Sequence, residues 1–188
     1  MSNTTRTATE QKIDNARIDF DAKATETRAR FEREASHEDS SEKQRLLLIN
    51  LKNHEARLVK LANADERVLK TIVQHMSDDT ATLSSFALYA LDKIVNIAKA
   101  CTYSDTKLNK TLYVAVKRMQ RSAIDRRELV RVYQSAHYSA ATASSQASTT
   151  LKSLQAMRII KRAENSSDTF ELCDTKRAQA FIDLCVKQ

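Results

Sequence analysis

The chain of 188 residues contains no glycine, no proline and no tryptophan. Average usage would put about 13 glycines and 9 prolines in a chain of this length. Their absence excludes every phosphate cradle built on a glycine-rich loop, the Walker and dinucleotide fingerprints among them. Turns that need a positive φ must then be made by Asn, Asp or Ser, and long helices joined by polar links are expected. Cysteine is scarce too: Cys101, Cys173 and Cys185 stand far apart, without the paired spacing of a zinc site or a disulfide framework. A sparse, odd set implies reduced thiols in an intracellular setting. Long apolar runs are also missing. The first twenty residues hold no apolar core of a signal peptide, and no window approaches the length of a membrane span. The expectation is a soluble, cytoplasmic protein with no membrane association.

Catalytic constellations are equally hard to find. His37, His54, His75 and His137 are dispersed, none at the spacing of a helical metal site and none near a cysteine. Carboxylates alternate with Lys and Arg as on a solvated helix face, and the serines around 139–148 lack the strand, elbow and helix context of a hydrolase nucleophile. No enzyme, metal or cofactor is expected.

What the chain does have is charge, unevenly placed. Net charge is +7; residues 1–104 carry 16 Lys and Arg against 16 Asp and Glu, whereas 105–188 carry 15 against 8. The whole excess lies in the carboxy-terminal part. That is the electrostatic footprint of a polyanion binder, because each phosphate neutralised releases condensed counterions. A basic surface kept for solubility does not explain why the neutral half stops where the excess begins.

Taken in order, residues 1–8 are polar, without periodicity, and read as disordered. From about 10 to 35 runs a charged helix with a thin apolar side, Ile13, Ala16, Phe20, Ala24 and Phe31, suited to a coiled-coil contact, a docking helix or a partly folded arm. After the break HEDSSEK, a helix from about 42 to 62 spaces Leu47, Leu51, His54, Leu58 and Leu61 by fours and threes, a coiled-coil seam. Leu46, Leu48 and Ile49 broaden its apolar side and leave a bundle open as the alternative, and His54 reads as a tolerated polar member rather than an acid trigger. Val68, Leu69, Ile72, Val73 and Met76 define a shorter helix. The most hydrophobic stretch, about 80 to 102, is apolar on more than one side and is the core helix of a bundle or the principal subunit interface. Ser104 and Asp105 can cap a helix with Leu108, Leu112, Ala115, Val116 and Met119 inward, and Asp174 a final helix with Ala178, Phe181, Ile182 and Cys185 inward. Three regions result: a charged arm at 1–40, a helical bundle or oligomerisation region at 41–103, and a third unit at 104–188.

The third unit carries the motif. Asp125 with Glu128 three residues on is a reciprocal helix-start signature, and a short amphipathic helix from 126 to 134 turns Leu129, Val130 and Tyr133 inward. From Ser139 a second helix puts Ala140, Ala143, Ala147, Leu151 and Leu154 on one side, with Thr142, Ser145, Thr149 and Lys152 opposite. Ile159 and Ile160 open a strand that becomes basic at Lys161 and Arg162; Asn165 to Asp168 can turn; Thr169, Phe170 and Leu172 return. The alternative for these residues is one longer bundle helix without a hairpin. On the residues SAIDRRELVRVY, ASSQASTTLKSLQAMRIIKRAE and DTFEL, the order of helix, short strand, helix, turn, helix and hairpin resembles a winged helix-turn-helix domain over about 105–174, under half the chain. Such domains usually place glycine where the recognition helix ends; here Arg158 stands at that point.

The resemblance implies a mainly α fold: long amino-terminal helices and a small bundle, followed by a winged helix-turn-helix domain with a two-stranded wing. It also implies a recognition helix at 141–157 in the major groove of double-stranded DNA. Ser144, Ser145, Gln146, Ser148, Thr149 and Lys152 would face bases, Gln146 pairing bidentately with adenine. Arg126, Arg127, Arg131, Lys161, Arg162 and the tip from Asn165 would reach phosphates. The outline is also similar to the helical and winged-helix tails of mobile-element primase-helicases, though no ATPase or primase motif is present. The expected protein is a transcriptional regulator or a replication or partition accessory factor, a homo-oligomer with a dimer favoured, or bound to a helical protein partner. The competing expectation is a scaffolding subunit that uses its helices and winged domain for protein contacts.

Overall fold

With neither glycine nor proline to break them, the first two helices run long. They are α1 (Ala8–Ser36) and α2 (Ser41–Ala62). The computed structural model describes residues 7–76, 83, 86–103, 105–164 and 166–187, except the side chains of 58–62. The helix α1 starts on a reciprocal cap: Thr7 Oγ1 accepts from the Glu10 N–H (3.3 Å), and the Glu10 carboxylate accepts from the Thr7 N–H (2.7 Å). Thr7 and Ala8 therefore belong to the helix start, and residues 1–6 of the expected disordered segment lie outside the described residues. After a four-residue link α2 folds back along α1, so that Arg28 meets Glu55 at 2.9 Å and the Phe31 ring meets His54 edge-on at 5.0 Å.

Ile13, Ala16 and Phe20 are buried and belong to the same contiguous core as residues near the carboxy terminus. A thin stripe suffices for burial because two further helices cover it, α2 and α3 (Glu66–His75). On α2, Leu47 and Leu51 are half-buried, while Leu58 and Leu61 of the expected seam lie outside the described side chains.

The expected hydrophobic helix at 80–102 begins later, as α4 (Leu88–Thr102), behind Ala87 as an N-cap without a side-chain bond. Ahead of it Leu83 sits in a tight turn: its N–H is taken by Asp19 Oδ2 of α1 (3.0 Å) and its carbonyl by the Phe86 N–H (3.1 Å). Those two bonds tie Leu83 to α1 and to Phe86 ahead of the helix start. The rest of 77–85 lies outside the described residues. As expected of a helix apolar on several sides, α4 is central: Leu91, Ile94, Ile97 and Ala98 are fully buried, and it packs against α2, α3, α7 (Ala140–Ala156) and α8 (Lys176–Val186).

The remaining elements are α5 (Lys110–Met119), β1 (Ile124–Asp125), α6 (Arg126–Ser135), α7, β2 (Ile160–Arg162), β3 (Thr169–Leu172) and α8. Among the described residues the fold is thus mainly α, with one antiparallel three-stranded sheet of order β1-β3-β2. Phe170 is its hinge point, opposite Ile124 on one side and Arg162 on the other. The cap of α5 is Asn109, which accepts from the Thr111 N–H (3.0 Å), rather than Ser104 or Asp105. Asn96 of α4 fixes it there by accepting from the Asn109 N–H (2.8 Å) and donating to the Lys107 carbonyl (3.1 Å). Ser104 itself lies outside the described residues. Likewise Thr175, not Asp174, caps α8, accepting from the Ala178 N–H at 3.1 Å. Ala178, Phe181, Ile182 and Cys185 are buried, closing α8 over α4 and α5.

The chain resolves its lack of glycine in an unexpected way. The two positive-φ residues among those described are His137 (69°) and Arg158 (54°), neither an Asn, Asp nor Ser. Each follows a helix in the same six-residue pattern. After α6, the His137 N–H bonds the Gln134 carbonyl (3.0 Å) and the Tyr138 N–H the Tyr133 carbonyl (3.2 Å). After α7, the Arg158 N–H bonds Gln155 (2.9 Å) and the Ile159 N–H bonds Leu154 (2.9 Å). These paired bonds satisfy carbonyls that a helix end leaves free, and the accompanying apolar contacts, Tyr138 on Tyr133 and Ile159 beside Leu154, help hold a left-handed residue that would otherwise cost about 1 kcal/mol. No helix among the described residues is long and apolar enough to cross a membrane.

Candidate functional site

The two left-handed turns aim three elements at one hollow. Asp125 Oδ1 accepts from the Glu128 N–H (2.7 Å) and so fixes the start of α6, putting Arg126 and Arg127 on its first turn. The expected reciprocal bond from Glu128 is not made, because its carboxylate pairs with Arg118 of α5 instead. Ser139 Oγ accepts from the Thr142 N–H (3.3 Å) to start α7 after the His137 turn. Arg158 then sends the chain from α7 into β2, and the hairpin comes back alongside. Between them lies a cleft of about 560 Å³. Leu151 and Phe170 are its apolar lining; Arg126, Arg127, Lys152 and Arg162 stand around it, with Asp125 and Asp168 as carboxylates.

None of these four cations makes an ion pair among the described residues, and two have neutral partners. Arg126 lies along α7: its Nε donates to Ser148 Oγ (2.7 Å), and its Nη2 to Ser144 Oγ (2.7 Å) and to the Ser144 carbonyl (3.3 Å). Arg162 donates to the Ser167 carbonyl and lies 5.7 Å above the Phe170 ring. Arg127 and Lys152 are exposed, and their side chains make no hydrogen bond or ion pair among the described residues. Four cations against two carboxylates leave the hollow with a positive excess, which an anion placed there would offset.

The other expected residues are not gathered here. Arg131 is exposed on α6 away from the cleft. Lys161 pairs with Glu171 across the hairpin at 3.1 Å, and that hydrogen bond raises its ammonium above the ordinary lysine value. Ser145 and Thr149 do not line the cleft, and the Thr149 hydroxyl donates back to the Ser145 carbonyl at 3.0 Å. Asn165 lies outside the described residues. Gln146 corrects the expectation most clearly, since it faces inward. Seven residues before the buried Ser153, it shares the edge of α7 that packs on α4, where Ser153 Oγ donates to the Ala90 carbonyl (3.0 Å). Gln146 Oε1 accepts 2.7 Å from the Nζ of Lys93.

Lys93 is the feature that sequence reasoning passed over. It is 2% exposed in the middle of α4, and its ammonium donates to Gln146 and to Thr111 Oγ1 of α5 (2.8 Å). Burial pushes its pKa down to about 8, with the charge of Asp92 partly opposing. A cation in the middle of the most hydrophobic stretch was the signal. Gln155 was missed as well, although it stands seven residues from Ser148 and three from Lys152 on the cleft side of α7. No cluster of potential metal ligands occurs among the described residues.

Comparison with protein-family models, with curated proteins and with solved structures returned no match, so the functional argument rests on this geometry.

Proposed function

We propose that residues from about 105 to 174 are a winged helix-turn-helix module that binds double-stranded DNA, with α7 as recognition helix and the β2–β3 hairpin as wing. The protein acts without catalysis inside the cell, as a transcriptional regulator or a replication or partition accessory factor. One observation carries this reading: Arg126, Arg127, Lys152 and Arg162, drawn from three elements, surround one cleft without a carboxylate partner among the described residues. Phosphodiesters match that arrangement, and a helix of the width of α7 fits a major groove. Support also comes from the charge balance, whose entire excess falls in residues 105–188.

The test is fluorescence anisotropy with a labelled mixed-sequence duplex at low salt. Arg127→Ala and Lys152→Ala, which break no internal bond, should each weaken binding several-fold and lower the salt slope by about one. Unchanged affinity in both variants rejects the assignment of the face.

A specific observation favours a second reading, in which the chain is a scaffolding subunit assembling through its amino-terminal helices. Leu46, Leu48 and Ile49 of α2 are 54%, 52% and 44% exposed, three large apolar side chains within one turn of the helix that the rest of the chain leaves uncovered. Light scattering with and without duplex separates the two: a dimer or larger assembly that ignores DNA supports the scaffold.

A further inference from the structure

Sequence readout needs polar side chains free to meet base edges, above all the bidentate groups of Arg, Asn and Gln on the helix that faces the groove. On α7 most such groups are already engaged within the chain. Ser144 and Ser148 accept from Arg126 at 2.7 Å each. The Thr142 hydroxyl accepts from Ser139 Oγ at 2.9 Å, and the Thr149 hydroxyl donates to the backbone of its own helix. Gln146, the one amide in the first half of the helix, is held inward by Lys93. Serine and threonine discriminate bases weakly in any case, and Lys152 stands in the lining of the cleft with Arg126 and Arg127. Gln155 is exposed, but it stands in the last turn of α7 beside the hairpin, away from the amino-terminal half that reaches bases in such dockings.

The cations have the opposite disposition. Arg127 and Lys152 are unengaged among the described residues, and Arg126 and Arg162 have only neutral hydrogen-bond partners, so the four cations outnumber the two carboxylates of the cleft, Asp125 and Asp168, and a positive excess remains available. Phosphates, not bases, are what such a surface is equipped to meet.

On the reading that this face meets duplex DNA, we infer that it grips the sugar-phosphate backbone without discriminating base sequence. Lys93 is a positioning residue in this arrangement: it withholds the one amide that the first half of the helix could offer to adenine.

The experiment compares a panel of 20-base-pair duplexes of permuted sequence with a random pool at one fixed salt concentration, using the full chain. Affinities within about threefold of the pool are expected, because a single bidentate base contact would separate sequences by about tenfold or more. A duplex bound at least about tenfold tighter than the pool, with the preference carried by a recurring motif, overturns this inference and leaves DNA binding standing. Failure to bind any duplex at 50 mM salt overturns the DNA reading and this inference with it. Gln146→Ala supplies an independent arm: uniform affinity across the panel is expected to persist, and a loss confined to particular sequences would show that Gln146 reaches bases after all. Circular dichroism of that variant confirms that it is folded before binding is measured.

Discussion

The Nζ of Lys93 on α4 lies 2.7 Å from the Oε1 of Gln146 on α7, and the same ammonium donates to Thr111 on α5. One buried charge thereby ties three helices together with no carboxylate hydrogen-bonded to it among the described residues. Its two partners are neutral dipoles, which reduce the desolvation penalty without cancelling it.

That penalty has a pH signature. Burial lowers the folded pKa of Lys93 to about 8 from 10.5, so between those values the unfolded chain holds more protons than the folded one. Its contribution to stability therefore rises with pH from about 8 and levels off near the unfolded value, by about 3 kcal/mol in all. Two thiols act the other way: half-buried Cys101 and buried Cys185, pushed up by burial to about 11 and about 12, contribute stability that is lost as pH rises above the ordinary thiol value. The difference between wild type and Lys93→Met isolates the lysine. Urea midpoints should favour the variant most below pH 8 and progressively less toward pH 10.5, whereas a difference independent of pH would contradict the assignment.

Replacing Arg158 by glycine should stabilise the fold by about 1 kcal/mol, because its φ of 54° is the region that costs a residue with a Cβ. His137→Gly, at 69°, should behave alike. Denaturant midpoints at unchanged m-value measure both. Arg158→Val, β-branched at the same position, should destabilise, and stability that follows neither substitution would deny the left-handed turn.

The histidines give an acid limb. Burial lowers the pKa of His54, with Arg57 and Arg30 adding repulsion, and burial also lowers that of His75 against the opposing bond to the Thr71 carbonyl. Below the ordinary histidine value the unfolded chain protonates first, so stability falls as pH drops from about 6.5 through the depressed folded values. His54 sits edge-on to both Phe31 and Tyr89, which an aromatic substitute can preserve. Thermal melts of His54→Phe between pH 7 and 4.5 should show a shallower loss than wild type; equal losses would remove His54 from the acid limb.

Periodicity and cap chemistry explain which parts of this fold were legible beforehand. The inward faces of α3, α5, α6 and α8 follow from three-and-four spacing, and Asp125 announces α6, because these signals are local. Where several cap-competent residues stand together, spacing cannot choose among them: Asn109 rather than Asp105, and Thr175 rather than Asp174, win through contacts such as those from Asn96. Leu83, ahead of α4, is held by Asp19, sixty-four residues away, a contact no local pattern announces. Gln146 was placed outward because it lies on the border of the apolar stripe, and only a lysine fifty-three residues upstream decides its direction. The left-handed turn at Arg158 was marked by the glycine that such domains usually place there, whereas the one at His137 escaped a search for Asn, Asp and Ser because its surroundings, not its side chain, stabilise it.

The cationic cleft as a phosphate-binding surface is tested most directly by the salt dependence of duplex binding. With four phosphates neutralised by Arg126, Arg127, Lys152 and Arg162, a plot of log K against log salt should be linear with a slope of about −3.6, a loss of roughly a hundredfold between 50 and 200 mM. A slope near zero, or the same slope after Arg127 and Lys152 are both changed to alanine, would contradict it.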